Sequence, residues 1–266
     1  MKSYVKDQSS GQGSVSKNGS GNKSKILAVI PARGGSKGIL KKNIRLLDSK
    51  PLLAYAVDSA RQSRFVDHLV ISTDDEDIIG LGRELGVDIP FKRPSYLAAD
   101  KSPLISVVRH AYEYFKERGV QYNAILSIQP TCPFLRYDTI DRVIGLWLAT
   151  RCESVVTVSE ITKGHPYIAK RLQADNSIEE FCKIPSGAIV GPRQKREKAY
   201  YLTGGIYLRD SRLIENVEAT GHALGMDARA VVVDELEAVD INNEIDLKYA
   251  EFLIASGYLK NANSSL

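Results

Sequence analysis

Short apolar runs alternate with segments of helical period along most of this chain, and that alternation limits the possible folds more than any other feature of it. Ile26–Ile30, His68–Ser72, Val87–Phe91, Ala124–Ile128 and Ser154–Val158 read as buried strands. Leu53, Ala56, Val57 and Ala60 mark a helix after the first, and Val108, Ala111, Tyr112 and Phe115 one after the third. Ile140, Val143, Ile144, Trp147 and Leu148 mark another after the fourth. After the second strand, Thr73 with Glu76 three residues on predicts a capping box and a helix ending near Gly86. Strand and helix in turn argue for an α/β fold, a mostly parallel sheet with helices on both faces.

The rhythm breaks at Glu160. Residues 160 to 200 are polar, rich in Lys and Arg, and interrupted by Pro166, Pro185 and Pro192. A stretch this long without a clear pattern is an insertion with a task or a disordered loop. Strands are expected again at Gly205–Leu208, at Ala230–Val233 and at Ala238–Val239, with a closing helix from about Asn243 to Gly257. Residues 1 to 24 are Ser, Gly, Lys, Asn and Gln with little apolar content, which predicts a disordered tail ahead of one domain over 25–260.

Charge narrows the partners. The tail through Lys25 holds five lysines and one aspartate, which is the whole net charge of +4. The folded part is therefore near neutral and has no nucleic-acid footprint. No apolar run is long enough to span a bilayer, and no signal-like stretch is present, so a cytoplasmic location without membrane attachment is expected. Cys132, Cys152 and Cys182 are far apart and form neither a metal spacing nor a disulfide framework. His68, His110, His165 and His222 show no triad or metal spacing, and only His165 is kept in reserve for a ligand.

The first strand runs into Pro31 and then Arg33-Gly34-Gly35-Ser36-Lys37-Gly38, followed by Lys41, Lys42 and Asn43. Glycines let the backbone bring its N–H groups close to a ligand, and four cations crowd the strand's end, so the loop is suited to a polyanion such as a triphosphate. It is neither a P-loop nor the dinucleotide fingerprint, whose spacings differ. In an open parallel sheet ligands sit at the carboxyl ends of the strands. That adds Ser72-Thr73-Asp74, Arg93, Gln129 and Asp240 to the candidates. The acids Asp74, Asp75 and Asp77 read as carboxylates favoured by a helix N-terminus rather than as a metal site.

Seven segments in order resemble the CMP-N-acetylneuraminate synthetases (acylneuraminate cytidylyltransferases). They are Ala32-Arg33 with Ser36-Lys37-Gly38 and Lys42-Asn43; Ile71-Ser72-Thr73-Asp74; Arg93-Pro94 with Leu97-Ala98-Ala99-Asp100; Gln129-Pro130-Thr131-Cys132-Pro133; Pro192-Arg193-Gln194; Gly204-Gly205-Ile206-Tyr207; and Val239-Asp240-Ile241-Asn242-Asn243-Glu244-Ile245-Asp246. The resemblance implies a Rossmann-like nucleotidyltransferase sheet with a protruding dimerisation segment at 160–200. It implies transfer of CMP from CTP to the anomeric hydroxyl of a nine-carbon 2-keto sugar acid, in a homodimer.

Carried over residue by residue, Arg33, Lys37 and Lys42 would neutralise the phosphates, with Ser36 and Gly35 in the same loop. Asn43 and Arg93 would face cytosine and ribose. Gln129 and Thr203 would face the acceptor, and Arg193 and Gln194 its carboxylate or N-acyl groups. Asp240 would hold Mg2+, with Asn242 beside it. Three departures stand out. Cys132 replaces a serine; Thr203 replaces an asparagine, which leaves the acceptor open among nonulosonic acids such as legionaminic or pseudaminic acid. Asn242 replaces a second aspartate, and either ligates through its amide oxygen or, like Asn243, caps the last helix. A weakened nucleotide-binding homologue, or a cytidylyltransferase for another keto sugar acid, is the alternative.

Overall fold

The computed structural model describes residues 24–216 and 222–259. The expected tail lies outside these residues except for Ser24. In chain order the elements are β1 (Ile26–Pro31), β2 (Leu46–Leu47), β3 (Lys50–Pro51), α1 (Leu52–Gln62), β4 (His68–Ser72), α2 (Glu76–Glu84), α3 (Leu104–Lys116) and β5 (Ala124–Ile128). There follow α4 (Tyr137–Thr150), β6 (Ser154–Glu160), β7 (Lys170–Leu172), β8 (Ile178–Glu180), β9 (Tyr200–Asp210), α5 (Ser211–Asn216), β10 (Ala228–Val232) and α6 (Glu244–Ala255).

Six strands form one sheet in the order β10-β6-β9-β5-β1-β4. It is parallel except at β9, which runs antiparallel to both β5 and β6. β1 is apolar at every position and β5 at all but Ser127, because both of their faces are covered. Ile26, Ala28 and Ile30 of β1 pack with Leu53 and Val57 of α1 and with Ile140, Ile144 and Trp147 of α4. Leu27 and Val29 pack on the other face with Ile105, Val108 and Ala111 of α3. A third cluster joins Ile39, Leu47 and Leu52 to Ile241, Leu247 and Leu253, and so ties the segment after β1 to the start of α6. Among the described residues no helix is long and apolar enough to cross a membrane.

Four local expectations are corrected. Residues 87–91 form no strand and touch the sheet only through single bridges, Val70 with Asp88 and Thr73 with Lys92. Pro90 stands between them and has no N–H for a ladder. The α2 cap is Asp75, whose carboxylate accepts from the N–H groups of Asp77 at 2.9 Å and Ile78 at 3.1 Å. Thr73 is still in extended chain, buried, and its hydroxyl accepts from Asp75 N–H. Ala238–Val239 is a turn closed by Ala238 N–H to the Asp234 carbonyl, and β9 begins at Tyr200, earlier than the Gly205 expected.

The insertion before β9 carries an exposed antiparallel hairpin, β7 with β8. Its apolar side chains Leu172, Ile178 and Phe181 are 60–67% exposed, which is unusual for residues of this size grouped on one hairpin.

Candidate active site

A cavity of about 480 Å3 opens where β1 and β5 end, against the middle of β9. The residues after β1 supply one wall: Arg33, Ser36, Lys37, Gly38, Lys42 and Asn43. The β5 end supplies Gln129, Pro130 and Thr131, β9 supplies Gly204 and Tyr207, and the approach to α6 supplies Asp240 and Asn242. Residues more than 200 positions apart in sequence thus share one space of nucleotide dimensions.

The loop is held by its backbone more than by its charges. Asn43, almost fully buried, donates from its side-chain amide to the Arg33 carbonyl at 2.8 Å. Gly34 N–H donates to the Asp74 carboxylate at 3.1 Å, and a Cβ at Gly34 would lie 2.3 Å from an Asp75 carboxylate oxygen. At Gly38 a Cβ would fall 2.0 Å from the Asn242 carbonyl oxygen, so only glycine allows the loop to meet the α6 approach. The acids at the start of α2 therefore seat the loop and cap the helix. Among the described residues no group of three or more His, Cys, Asp or Glu side chains is gathered as for a metal.

The cations differ in their fixings. Lys42 donates to the Ile241 carbonyl at 2.8 Å and lies 3.5 Å from the Asn242 amide oxygen. Burial lowers its pKa, Asp240 opposes that fall, and the Arg33 charge adds to it. Arg33 and Lys37 both pair with Asp100, at 2.9 and 2.6 Å. Lys41 leaves the cavity altogether and pairs with Asp77.

Beside Lys42 in the same cavity, Asp240 accepts from the Asn242 side-chain amide at 2.8 Å. The buried Cys132 thiol sits 4.0 Å from the other Asp240 oxygen, and burial pushes that thiol up to about 12, so it stays protonated. Ile241 N–H to the Thr131 carbonyl at 2.9 Å binds this segment to the β5 end. Asn243, not Asn242, caps α6: it accepts from Ile245 and Asp246 N–H, and Asp246 returns the bond to Asn243 N–H. That leaves the Asn242 side chain to the cavity.

A bulge in the β6–β9 pairing shapes the remaining wall. The register jumps from Val158 opposite Leu202 to Val156 opposite Tyr207, so β9 residues 203–206 stand against Thr157 alone. Gly204 takes φ +80 there, a conformation that suits glycine, while Thr203 turns inward and shares a 2.6 Å hydroxyl contact with Thr157. Gln129 N–H donates to the Gly205 carbonyl. The Gln129 side-chain nitrogen is fully buried and has no protein partner. Gln129 itself lines the cavity, so a rotation of its side-chain amide would give this orphaned donor a polar ligand as partner.

Of the candidates read from sequence, Arg33, Ser36, Lys37, Lys42, Asn43, Gln129, Asp240 and Asn242 line the cavity. Gly35 is in the loop but not in the wall. Arg93 is 4% exposed and is committed to Ser72, donating to its hydroxyl at 3.1 Å and to its carbonyl. Burial brings its pKa down to about 10, which leaves it cationic at neutral pH and fixed behind the end of β4. Thr203 is buried against β6 rather than in the wall. Arg193 and Gln194 lie in an exposed turn of the insertion, away from this chain's cavity. His165 is occupied too, its ring accepting from Tyr167 N–H and meeting the Glu197 carbonyl. Thr131, Gly204 and Tyr207 also line the cavity and carry no signal of their own in the sequence, because only the bulge and the β5 end give them a common space.

Known proteins resemble this chain over most of its length. The family model described as cytidylyltransferase matches residues 27–233. The post-translational flagellin modification protein B of Campylobacter coli is 31% identical over 236 residues, covering 87% of this chain and 95% of that one. The CMP-N,N'-diacetyllegionaminic acid synthase of Legionella pneumophila is 31% identical, covering 86% of this chain and 96% of its own. Among solved structures, CMP:2-keto-3-deoxy-manno-octonic acid synthetase complexed with CTP has the same fold, with a TM-score of 0.66 at 17% identity over 88% of this chain and 99% of that one. A sheet that ends in a basic loop, a match over most of the chain and full-length relatives lead to one assignment: the chain belongs to the cytidylyltransferase family.

Proposed function

We propose that this protein transfers CMP from CTP to the anomeric hydroxyl of a nine-carbon 2-keto sugar acid and releases pyrophosphate. The observation that carries the reading is the convergence on one cavity of Arg33, Lys37 and Lys42 with Asp240, Lys42 being bonded to the segment that follows Asp240, and with Gln129 at the end of β5. In the reaction the acceptor oxygen bonds to the α-phosphorus, the bond to the β-phosphate oxygen breaks, and the hydroxyl proton passes to solvent. Lys42 and Arg33 meet the charge that accumulates on the departing pyrophosphate. Gln129 hydrogen-bonds and orients the acceptor. Positioning and charge neutralisation supply most of the rate, so no covalent enzyme intermediate is needed.

Mg2+ suits this donor set. The ion keeps several waters and takes one or two carboxylates together with phosphate oxygens, so one aspartate is enough where the nucleotide brings the rest. Asp240 would hold it, with Asn242 as a neutral neighbour. When bound, Mg2+ supplies charge neutralisation at the phosphates and favours ionisation of a ligated hydroxyl.

The site needs a second copy of the chain to bring Arg193 and Gln194 to the acceptor, and the exposed apolar hairpin is the surface that would bury against it. The wild type is expected to sediment as a dimer. Phe181→Glu with Ile178→Glu should yield monomers with a raised KM for the sugar acid and a KM for CTP near normal. A wild-type monomer with full activity at assay concentration would contradict this arrangement. A cytoplasmic location accords with the use of CTP.

The activity itself is tested by pyrophosphate release from CTP and Mg2+ with a panel of 2-keto sugar acids that includes legionaminic, pseudaminic and N-acetylneuraminic acids. Release is expected with a nonulosonic acid and with CTP in preference to UTP, GTP and ATP. No release with any acceptor, while CTP still binds, rejects the proposal. A second reading, a weakened homologue, rests on Asn242, whose amide faces Asp240 where a second carboxylate would add charge. It requires an inert wild type that Asn242→Asp activates.

A further inference from the structure

The cations after β1 are not waiting free for phosphate. Arg33 Nη1 lies 2.9 Å from one oxygen of Asp100, and Lys37 Nζ lies 2.6 Å from the other. One carboxylate thus bridges both, one oxygen to each, as two oxygens of a phosphate would. Arg33 and Lys37 line the cavity; Asp100 does not. Asp100 sits in the short segment between Pro94 and Pro103, of which only Leu97 is firmly buried. Beyond that anchor, Asp100 is the side chain that ties this segment to the basic loop. Arg33 Nη1 also reaches the Ala98 carbonyl of the same segment at 3.5 Å, whereas Lys42 is held from outside it, by the Ile241 carbonyl at 2.8 Å.

We propose that Asp100 is a surrogate anion: it gathers Arg33 and Lys37 in the ligand-free enzyme, exchanges them for phosphate oxygens when the triphosphate enters, and reclaims them as pyrophosphate leaves. The inference rests on the proposed reading of the cavity as the CTP site. Its physical basis is that a carboxylate and a phosphate cannot share two cations without like-charge repulsion. Asp100 therefore weakens anion binding in exchange for a loop already converged. The pairs are partly exposed, with side-chain exposures of 34% for Arg33, 81% for Lys37 and 45% for Asp100, so the exchange is shallow and reversible.

The sign of the effect separates this role from a merely structural one. Calorimetric titration of the full-length protein with pyrophosphate alone, and separately with CTP, should show Asp100→Asn binding both about three- to tenfold more tightly than wild type. Stopped-flow measurement should find pyrophosphate leaving more slowly from the variant. Asp100→Glu, which keeps the charge, should stay close to wild type and controls for disturbance of the segment. Equal or weaker binding by Asp100→Asn, with wild type binding normally, overturns the surrogate role and leaves the function intact. A wild type that binds neither pyrophosphate nor CTP overturns both.

Discussion

Replacing Lys42 by alanine should lower turnover by two orders of magnitude or more. The ammonium is half-buried and pinned 2.8 Å from the Ile241 carbonyl, so it needs little reorganisation to receive charge on the leaving pyrophosphate. Removing one such fixed stabilising group costs about 2.7–4 kcal/mol of transition-state energy. Arg33→Ala should follow with a similar loss, since Arg33 shares the wall and is tethered by its ion pair with Asp100 and a longer contact with the Ala98 carbonyl. Pyrophosphate release under saturating substrates measures both, and near-normal rates in the two variants would remove the basic loop from the mechanism. The pH profile gives a separate check. Only the protonated amine binds phosphate, so kcat/KM must fall as pH rises through the Lys42 pKa. Burial has lowered that pKa, and the fall should therefore begin below the ordinary lysine range. Lys42→Ala should abolish this limb.

Substituting Asp240 is the second large effect expected. Asp240→Asn keeps the size of the side chain and the main-chain bond from the next residue, Ile241, to Thr131, so the segment stays in place. What it loses is the negative charge in the wall facing Lys42 and Arg33. Asn242 cannot replace it, because an amide carries no charge and already directs its nitrogen at Asp240. The Mg2+ concentration for half-maximal activity should rise at least about tenfold, the lower end of the effect seen when even a group behind a metal ligand is changed. The same change should shift the Lys42 limb to lower pH, because Asp240 is the group that supports the protonated amine. An unchanged metal titration would show that the ion is held elsewhere.

The two predictions act from segments almost 200 residues apart, and this separates what could be read along the chain from what could not. Local pattern was enough for the strands and helices that bury continuous apolar runs. Ile26–Pro31 and Ala124–Ile128 have one stable solution, a central strand covered on both faces, whatever surrounds them. The place of the basic loop was legible for the same reason: a strand that stops in glycines and cations sets them at the end of the sheet, and Arg33, Lys37 and Lys42 line the cavity there. The capping of α6 was half legible: two adjacent asparagines could serve, and only backbone geometry assigned the cap to Asn243 and released Asn242 to the cavity.

Other features had no local signal. The direction of β9 depends on which strands accept it, and Gly205–Leu208 reads alike in either sense. Its bulge arises from a mismatch with β6, so the placement of Gly204 and Tyr207 in the cavity wall and the inward turn of Thr203 are properties of the pair of strands. Position after the expected third strand makes Arg93 a candidate, but only the packed chain shows that Pro90 leaves single bridges there and that the guanidinium donates to Ser72. The bridge from Asp100 to Arg33 and Lys37 spans more than 60 residues and has no periodicity to announce it. Apolar burial is a sum over neighbouring residues and is written in sequence; the pairing of charges and the register of strands are relations between distant segments, and only the packed chain decides them.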